Sequence, residues 1–136
     1  MIIESVWLTK LILAHLVTDF ILQPKSWVDD RNQKHFASGR LYLHGAITGL
    51  VALLMIGWHY WMVALIILVT HTLIDGWKSY QKVNTKYFLI DQLTHLLIII
   101  GCWYFTFLKW EDIQMAFHQL NAQSTTWKTI TALVFL

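Results

Sequence analysis

The 136-residue chain has one cysteine, one proline and six glycines, and only 13% of its residues are Asp, Glu, Lys or Arg. A single cysteine, Cys102, excludes an internal disulfide and any Cys-x-x-Cys zinc site. Set within an apolar run, it reads as packing. The net charge of +2 is spread over separate stretches and forms no basic helix face, so no nucleic-acid partner is expected. A cleavable secretory leader is not expected either. It needs a positive start, an unbroken apolar run and a small-residue cleavage site, whereas here Glu4 precedes the run, Lys10, His15 and Asp19 interrupt it, and no Ala-x-Ala pattern follows. What remains is 57% hydrophobic with a mean hydropathy of +0.51, too apolar for a soluble domain of this size and suited to a membrane.

Four stretches approach the length a helix needs to cross a hydrocarbon core roughly 30 Å thick. The first runs from about Ser5 to Gln23 and is ended by Pro24, the second from about Leu41 to Trp58, the third from about Trp61 to Tyr80 and the fourth from about Tyr87 to Leu108. The polar stretch Lys25 to Arg40 reads as a loop or surface helix. The short join GWHYWM forces the third segment to return beside the second. The expectation is an all-α polytopic membrane protein. Residues 1–110 form an antiparallel four-helix transmembrane bundle, and residues 111–136 form an amphipathic and apolar tail or the start of a fifth span.

Three of these stretches carry ionisable pairs at i, i+4: His15 with Asp19, His71 with Asp75, and Asp91 with His95. That spacing stacks two side chains on one helix face with β-carbons about 5 to 6 Å apart. An ionisable group at membrane depth costs roughly 2.5 to 3.5 kcal/mol on insertion scales unless it finds a partner, a metal or water, and so marks function. In an up-down-up-down bundle the late parts of the first and third helices and the early parts of the second and fourth lie at one end. His15, Asp19, His44, His71, Asp75, Asp91 and His95 are therefore expected at one level.

Imidazole with carboxylate suits a divalent transition metal, zinc first, with manganese or iron as alternatives. All seven residues are candidate ligands, for one ion or for two bridged by carboxylates. Asp19, Asp91 and His44 are also candidate acid-base groups, and Gln23 and Gln92 candidate hydrogen-bonding supports. The bland alternative is a polar clamp joining helices. Haem is disfavoured because three carboxylates would crowd a pocket that needs neutral imidazoles. Thr48 and Thr72 read as interhelical hydrogen bonds, and His35, His59 and His118 as surface residues. Lys25, Arg31, Lys34, Arg40, Lys78, Lys82 and Lys86 flank the same end while the join Gly57 to Trp61 has no Lys or Arg, so the cluster is expected to face the cytoplasm and the N-terminus the outside. Trp7, Trp58, Trp61, Trp103 and Trp110 would then populate the outer interface, and Trp27, Trp77 and Tyr80 the inner one.

The pieces HLVTDFILQ at His15 to Gln23, His44 opening the second span, HTLID at His71 to Asp75 and DQLTH at Asp91 to His95 resemble a small bacterial inner-membrane family known as domain of unknown function 3307. The resemblance covers roughly Lys10 to Leu108. It implies no activity, and members extend further at the C-terminus, which favours a longer natural chain. More loosely, the arrangement is similar to membrane-bound metal-dependent hydrolases. The functional expectation is a metal-dependent hydrolase of a phosphoester or lipid-linked substrate. The alternatives are an ion or proton transporter component, or a non-enzymatic interaction subunit with a structural polar cluster. The bilayer, a lipid-linked substrate, and a second copy or another membrane protein are the expected partners.

Overall fold

Away from water, a backbone satisfies its own N–H and C=O groups most simply as a helix. Every element of the computed structural model is helical, with no strand among the described residues, which are 2–107 together with Met115, His118, Gln119 and Ala122. In chain order the elements are α1 (Ile2–Phe20), α2 (Lys25–Lys34), a 3-10 turn (His35–Ala37), α3 (Gly39–Ile56), a second 3-10 turn (Trp58–Tyr60), α4 (Trp61–Lys78) and α5 (Thr85–Phe107). Three spans, Gly39–Ile56, Trp58–Lys78 and Thr85–Phe107, are long and apolar enough to cross a membrane. A fourth exists only if α1 is counted with Lys25–Ala37 across a bend of 81°. The expected four spans thus become three to four, because α1 carries Glu4, Lys10 and Asp19 within its nineteen residues.

The boundary of α1 also differs from expectation. The helix stops at Phe20, where the amides of Ile21 and Leu22 both donate to the Val17 carbonyl at 3.0 Å. Pro24 caps the start of α2 with an extended backbone and does not close α1. Ser38 caps α3 by accepting from the Leu41 amide while its hydroxyl donates to Asp30 at 2.6 Å. Gly57, at φ 95 and ψ 156, ends α3 in an extended positive-φ conformation that is essentially restricted to glycine.

Many large apolar side chains, among them Leu13, Leu16, Leu50, Leu54, Leu65, Ile66, Leu73 and Leu97, face outward, whereas His15, Thr18, His44, Thr48, His71, Asp75, Asp91 and His95 are buried beside core residues such as Leu11, Leu41 and Ile99. That sorting is consistent with a membrane protein, since in a bilayer helices gain little by hiding leucine and rely on close packing and polar pairing. Gly45 and Gly49 provide the close approach between α3 and α4. A β-carbon on Gly45 would lie 2.0 Å from Thr72 Oγ1, and one on Gly49 2.8 Å from Leu68 Cβ. The two form a Gly-x-x-x-Gly pair that lets the backbones meet beside His44 and His71. Thr48 and Thr72 do not bridge helices as expected; each hydroxyl donates to its own helix four residues back, to the His44 and Leu68 carbonyls.

At the end remote from the ionisable residues, Trp103 Nε1 donates to the Glu4 carbonyl at 3.0 Å, and Trp7 packs edge-on against Tyr60 with ring centroids 5.4 Å apart. Trp7 is therefore a core residue and not a member of an exposed aromatic belt, whereas Trp58 and Trp61 are exposed. Contacts divide the chain into units Met1–Trp103 and Tyr104–Leu136, and all seven expected ligands lie in the first. Of the second, the end of α5 and the four residues named above are described. Most of the expected 111–136 tail, and Trp110, lie outside the described residues.

Replacing either glycine with valine should force α3 and α4 apart. Gly45→Val and Gly49→Val are each expected to lose roughly 1 to 3 kcal/mol of stability, read as a lower melting temperature in detergent, while Gly101→Val, where a β-carbon meets nothing within 4 Å, stays near the parent.

Candidate functional site

Helix periodicity brings the i, i+4 pairs to a common interior. His15 and Asp19 come from α1, His44 from α3, His71 and Asp75 from α4, and Asp91 and His95 from α5. The side chains of all seven are at least 92% buried. His71 is central: its ring stacks on His95 at 4.2 Å between centroids and lies 4.9 Å from His44 and 5.8 Å from His15. The seven meet at one level, as the spacing predicts.

Two sets of donor atoms converge. In the first, His44 Nε2 and His71 Nε2 are 2.9 Å apart, and each lies 3.3 Å from Asp19 Oδ1. Asp75 Oδ2 is a further corner, 3.7 Å from His44 Nε2 and 3.8 Å from His71 Nε2. In the second, His95 Nε2 lies 3.5 Å from Asp75 Oδ1 and 3.4 Å from Asp91 Oδ1. Asp75 thus turns one oxygen to each set. A third group, His15, His71 and His95, also gathers its ring nitrogens within 4.8 Å. Asp19 Oδ1, Asp91 Oδ1 and His95 Nε2 are buried and make no hydrogen bond among the described residues, despite these short approaches. Buried polar atoms held this close without hydrogen-bond geometry call for a proton, a water or an ion between them.

The expected supports diverge. Gln92 sits among three ionisable groups: its Nε2 donates to Asp19 Oδ2 and Asp91 Oδ2, both at 3.2 Å, and its Oε1 accepts from His15 Nε2 at 3.1 Å. Gln23 does not extend the helix face as expected. It lies beyond the end of α1, half-buried, and lines a cavity that reaches Asp19.

Two cations that read as loop charges belong to the site. Arg31, 3% exposed, pairs with Asp75, and Lys78 pairs with Asp91. Lys78 was legible, since His71, Asp75 and Lys78 follow i, i+4, i+7 on one face. Nothing in the periodicity marks Arg31, which is the only buried residue of the polar helix α2. His35 is not a plain surface residue either. It has φ 54, stacks on Tyr80 with centroids 3.9 Å apart, and its Nδ1 meets Ser79 Oγ at 2.9 Å. The Ser79 hydroxyl donates to the Gly76 carbonyl at 2.6 Å, so its oxygen accepts from the ring. His59 and His118 are exposed as expected.

Three carboxylates face two permanent cations, and Asp19, without a permanent cation of its own among the described residues, meets His15, His44, His71 and Gln92; a protonated imidazole or a bound cation supplies any third positive charge. A buried carboxylate is costly unless a positive charge or several hydrogen bonds meet it. Arg31→Ala should leave Asp75 in the same condition and is expected to lose roughly 3 to 5 kcal/mol. The double variant Arg31→Met with Asp75→Leu should recover most of that loss, both measured by thermal unfolding in detergent.

No curated protein and no solved structure matches the chain. Residues 7–124 match the family described as "Protein of unknown function (DUF3307)", and the chain belongs to that family.

Proposed function

We propose that this chain is a metal-dependent hydrolase of the bacterial inner membrane, an antiparallel four-helix transmembrane bundle acting on a phosphoester or other lipid-linked group near the cytoplasmic face. The observation that carries the reading is the triangle of Asp19 Oδ1, His44 Nε2 and His71 Nε2, with edges of 3.3, 3.3 and 2.9 Å. Two imidazole nitrogens and a carboxylate oxygen at these separations fit the donor set of a zinc site, so Asp19, His44 and His71 would hold the ion. Asp75 would be a further ligand through Oδ1, which faces His95, while its Oδ2 is paired with Arg31. Zinc suits the nitrogen and oxygen donors, with manganese or iron as alternatives.

An ion held there would supply an activated water and polarise the scissile oxygen. Asp19 is a corner of the triangle and also lines the cavity on the α2 side, so it would orient that water, and His44 and Asp91 would take up its proton. Gln92 orients Asp19 and Asp91, and His15 is a further ligand. The transporter alternative is less well supported. On the other side of the cluster is a void of only about 10 Å³, room for one water, walled by Leu11, Ala52, Ile67 and Ile99 together with His15, Thr48, Thr70, His71 and His95.

A polar clamp is favoured by one observation: Arg31 and Lys78 already neutralise Asp75 and Asp91. Elemental analysis of the purified full chain decides between the two. The hydrolase reading expects about one to two transition-metal ions per chain, lost in His71→Ala and Asp75→Asn. No stoichiometric metal after reconstitution with zinc, manganese and iron leaves the clamp.

Orientation rests on the exposed lysines and Arg40 at the α2 end and their absence from Gly57 to Trp61. In a Cys102→Ala background, Ser26→Cys should react with an impermeant maleimide only after cells are opened, and His59→Cys in intact cells. The reverse pattern would put the site outside.

A further inference from the structure

The entrance to the cluster has its own chemistry. A cavity of about 300 Å³ opens between α1, α2 and the α4–α5 connection, and of the seven clustered His and Asp residues Asp19 alone lines it. Its other polar walls include Arg31, Lys78, Lys82, Asn32 and Asn84, with Gln23, Gln81 and Tyr87 beside them. Three cations face one carboxylate there. Two of them are anchored from behind, Arg31 by Asp75 and Lys78 by Asp91, so they are held at the wall at little cost in side-chain entropy. Arg31 Nε has no hydrogen-bond partner among the described residues although the side chain is 3% exposed. The third cation, Lys82, is exposed at the mouth.

The remaining walls are apolar. Phe20 and Phe88 meet edge-on with centroids 6.3 Å apart and are both substantially exposed, and Val83, 93% exposed, stands beside them. A cation-lined chamber with a greasy rim suits an amphiphile whose anionic end enters and whose chain stays outside. A soluble anion would leave the rim unused, and a neutral lipid would leave the cations unmatched.

We propose that this cavity binds the phosphate end of a phosphate-bearing amphiphile, with Arg31, Lys78 and Lys82 as charge partners, Asn32 and Asn84 as hydrogen-bond donors, and Phe20, Phe88 and Val83 against the first part of the chain. The phosphate then rests beside Asp19. The assignment of this amphiphile as substrate rests on the hydrolase reading; its binding does not, because the cations belong to the chain itself. Arginine and lysine recognise phosphate by charge-assisted hydrogen bonds, and the volume suits a headgroup without a second lipid chain.

The test is calorimetric titration of the full chain in a non-ionic detergent with four probes: dihexanoyl phosphatidic acid, inorganic phosphate, glycerol 3-phosphate and dodecanoate. The expected order puts phosphatidic acid tightest. Lys82→Glu should weaken it about tenfold, and Lys86→Glu, whose lysine does not line the cavity although it lies over the ring of Tyr87, which does, should weaken it far less. Lys82 is chosen because it is exposed and pairs with no buried carboxylate, so the variant should fold; Phe88→Ser reads the rim separately and should weaken phosphatidic acid but not inorganic phosphate. Dodecanoate binding as tightly as phosphatidic acid, or equal losses in Lys82→Glu and Lys86→Glu, would overturn the proposal. Inorganic phosphate matching phosphatidic acid would make the ligand a soluble phosphate and remove the amphiphile. Binding by a chain that takes up no metal even after reconstitution with zinc, manganese and iron leaves the cavity standing and removes the hydrolase; a chain that holds metal but binds no phosphate compound does the opposite.

Discussion

The arrangement depends on how three ionised carboxylates are kept away from water. Asp75 and Asp91 each have a permanent cation, Arg31 and Lys78, while Asp19 faces three imidazoles and the Gln92 amide. Pairing at this depth is a condition for folding, because an uncompensated buried charge costs several kcal/mol. The same condition draws five helices to one place, since no single helix carries both members of every pair. At Asp19 that condition would be met by a protonated imidazole or by a bound cation.

Packing answers the same demand from the apolar side. Outward leucines and isoleucines gain little from lipid, and the helices hold together through close approach and polar contacts. Gly45 and Gly49 bring α3 against α4 beside His44 and His71, so the two nitrogens that stand 2.9 Å apart owe that separation to absent side chains one and five residues along α3 from His44. Gly76 plays a related part at the other end of α4, where Phe36 rings would meet a β-carbon at 2.1 Å. Helix α2 is thereby drawn over the site end and brings Arg31 with it. The strained His35 backbone, its stack on Tyr80 and its bond to Ser79 fix that return.

The proposed function rests on a contrast between the two sides of the cluster. On one side lies a void the size of one water, and toward α2 a chamber walled by cations. The hydrolase reading, in which an anionic group would enter the chamber and reach Asp19, draws on that contrast.

The helices and their ionisable pairs were legible because both are periodic. Apolar runs without proline announce the spans, and i, i+4 spacing announces that His15 with Asp19, His71 with Asp75 and Asp91 with His95 share faces. Lys78 extended the α4 pattern and went unread as a loop charge. Arg31, the seating of His35, the Gly45–Gly49 approach and the detachment of Gln23 from α1 were not read from the chain. The first depends on an 81° bend, and the helix on either side of it carries no periodic trace of that angle. Sequence by itself determined which residues lie on the inner faces, because helix geometry is local. Only the tertiary structure decided which opposite charges meet, because that choice belongs to the distances between helices.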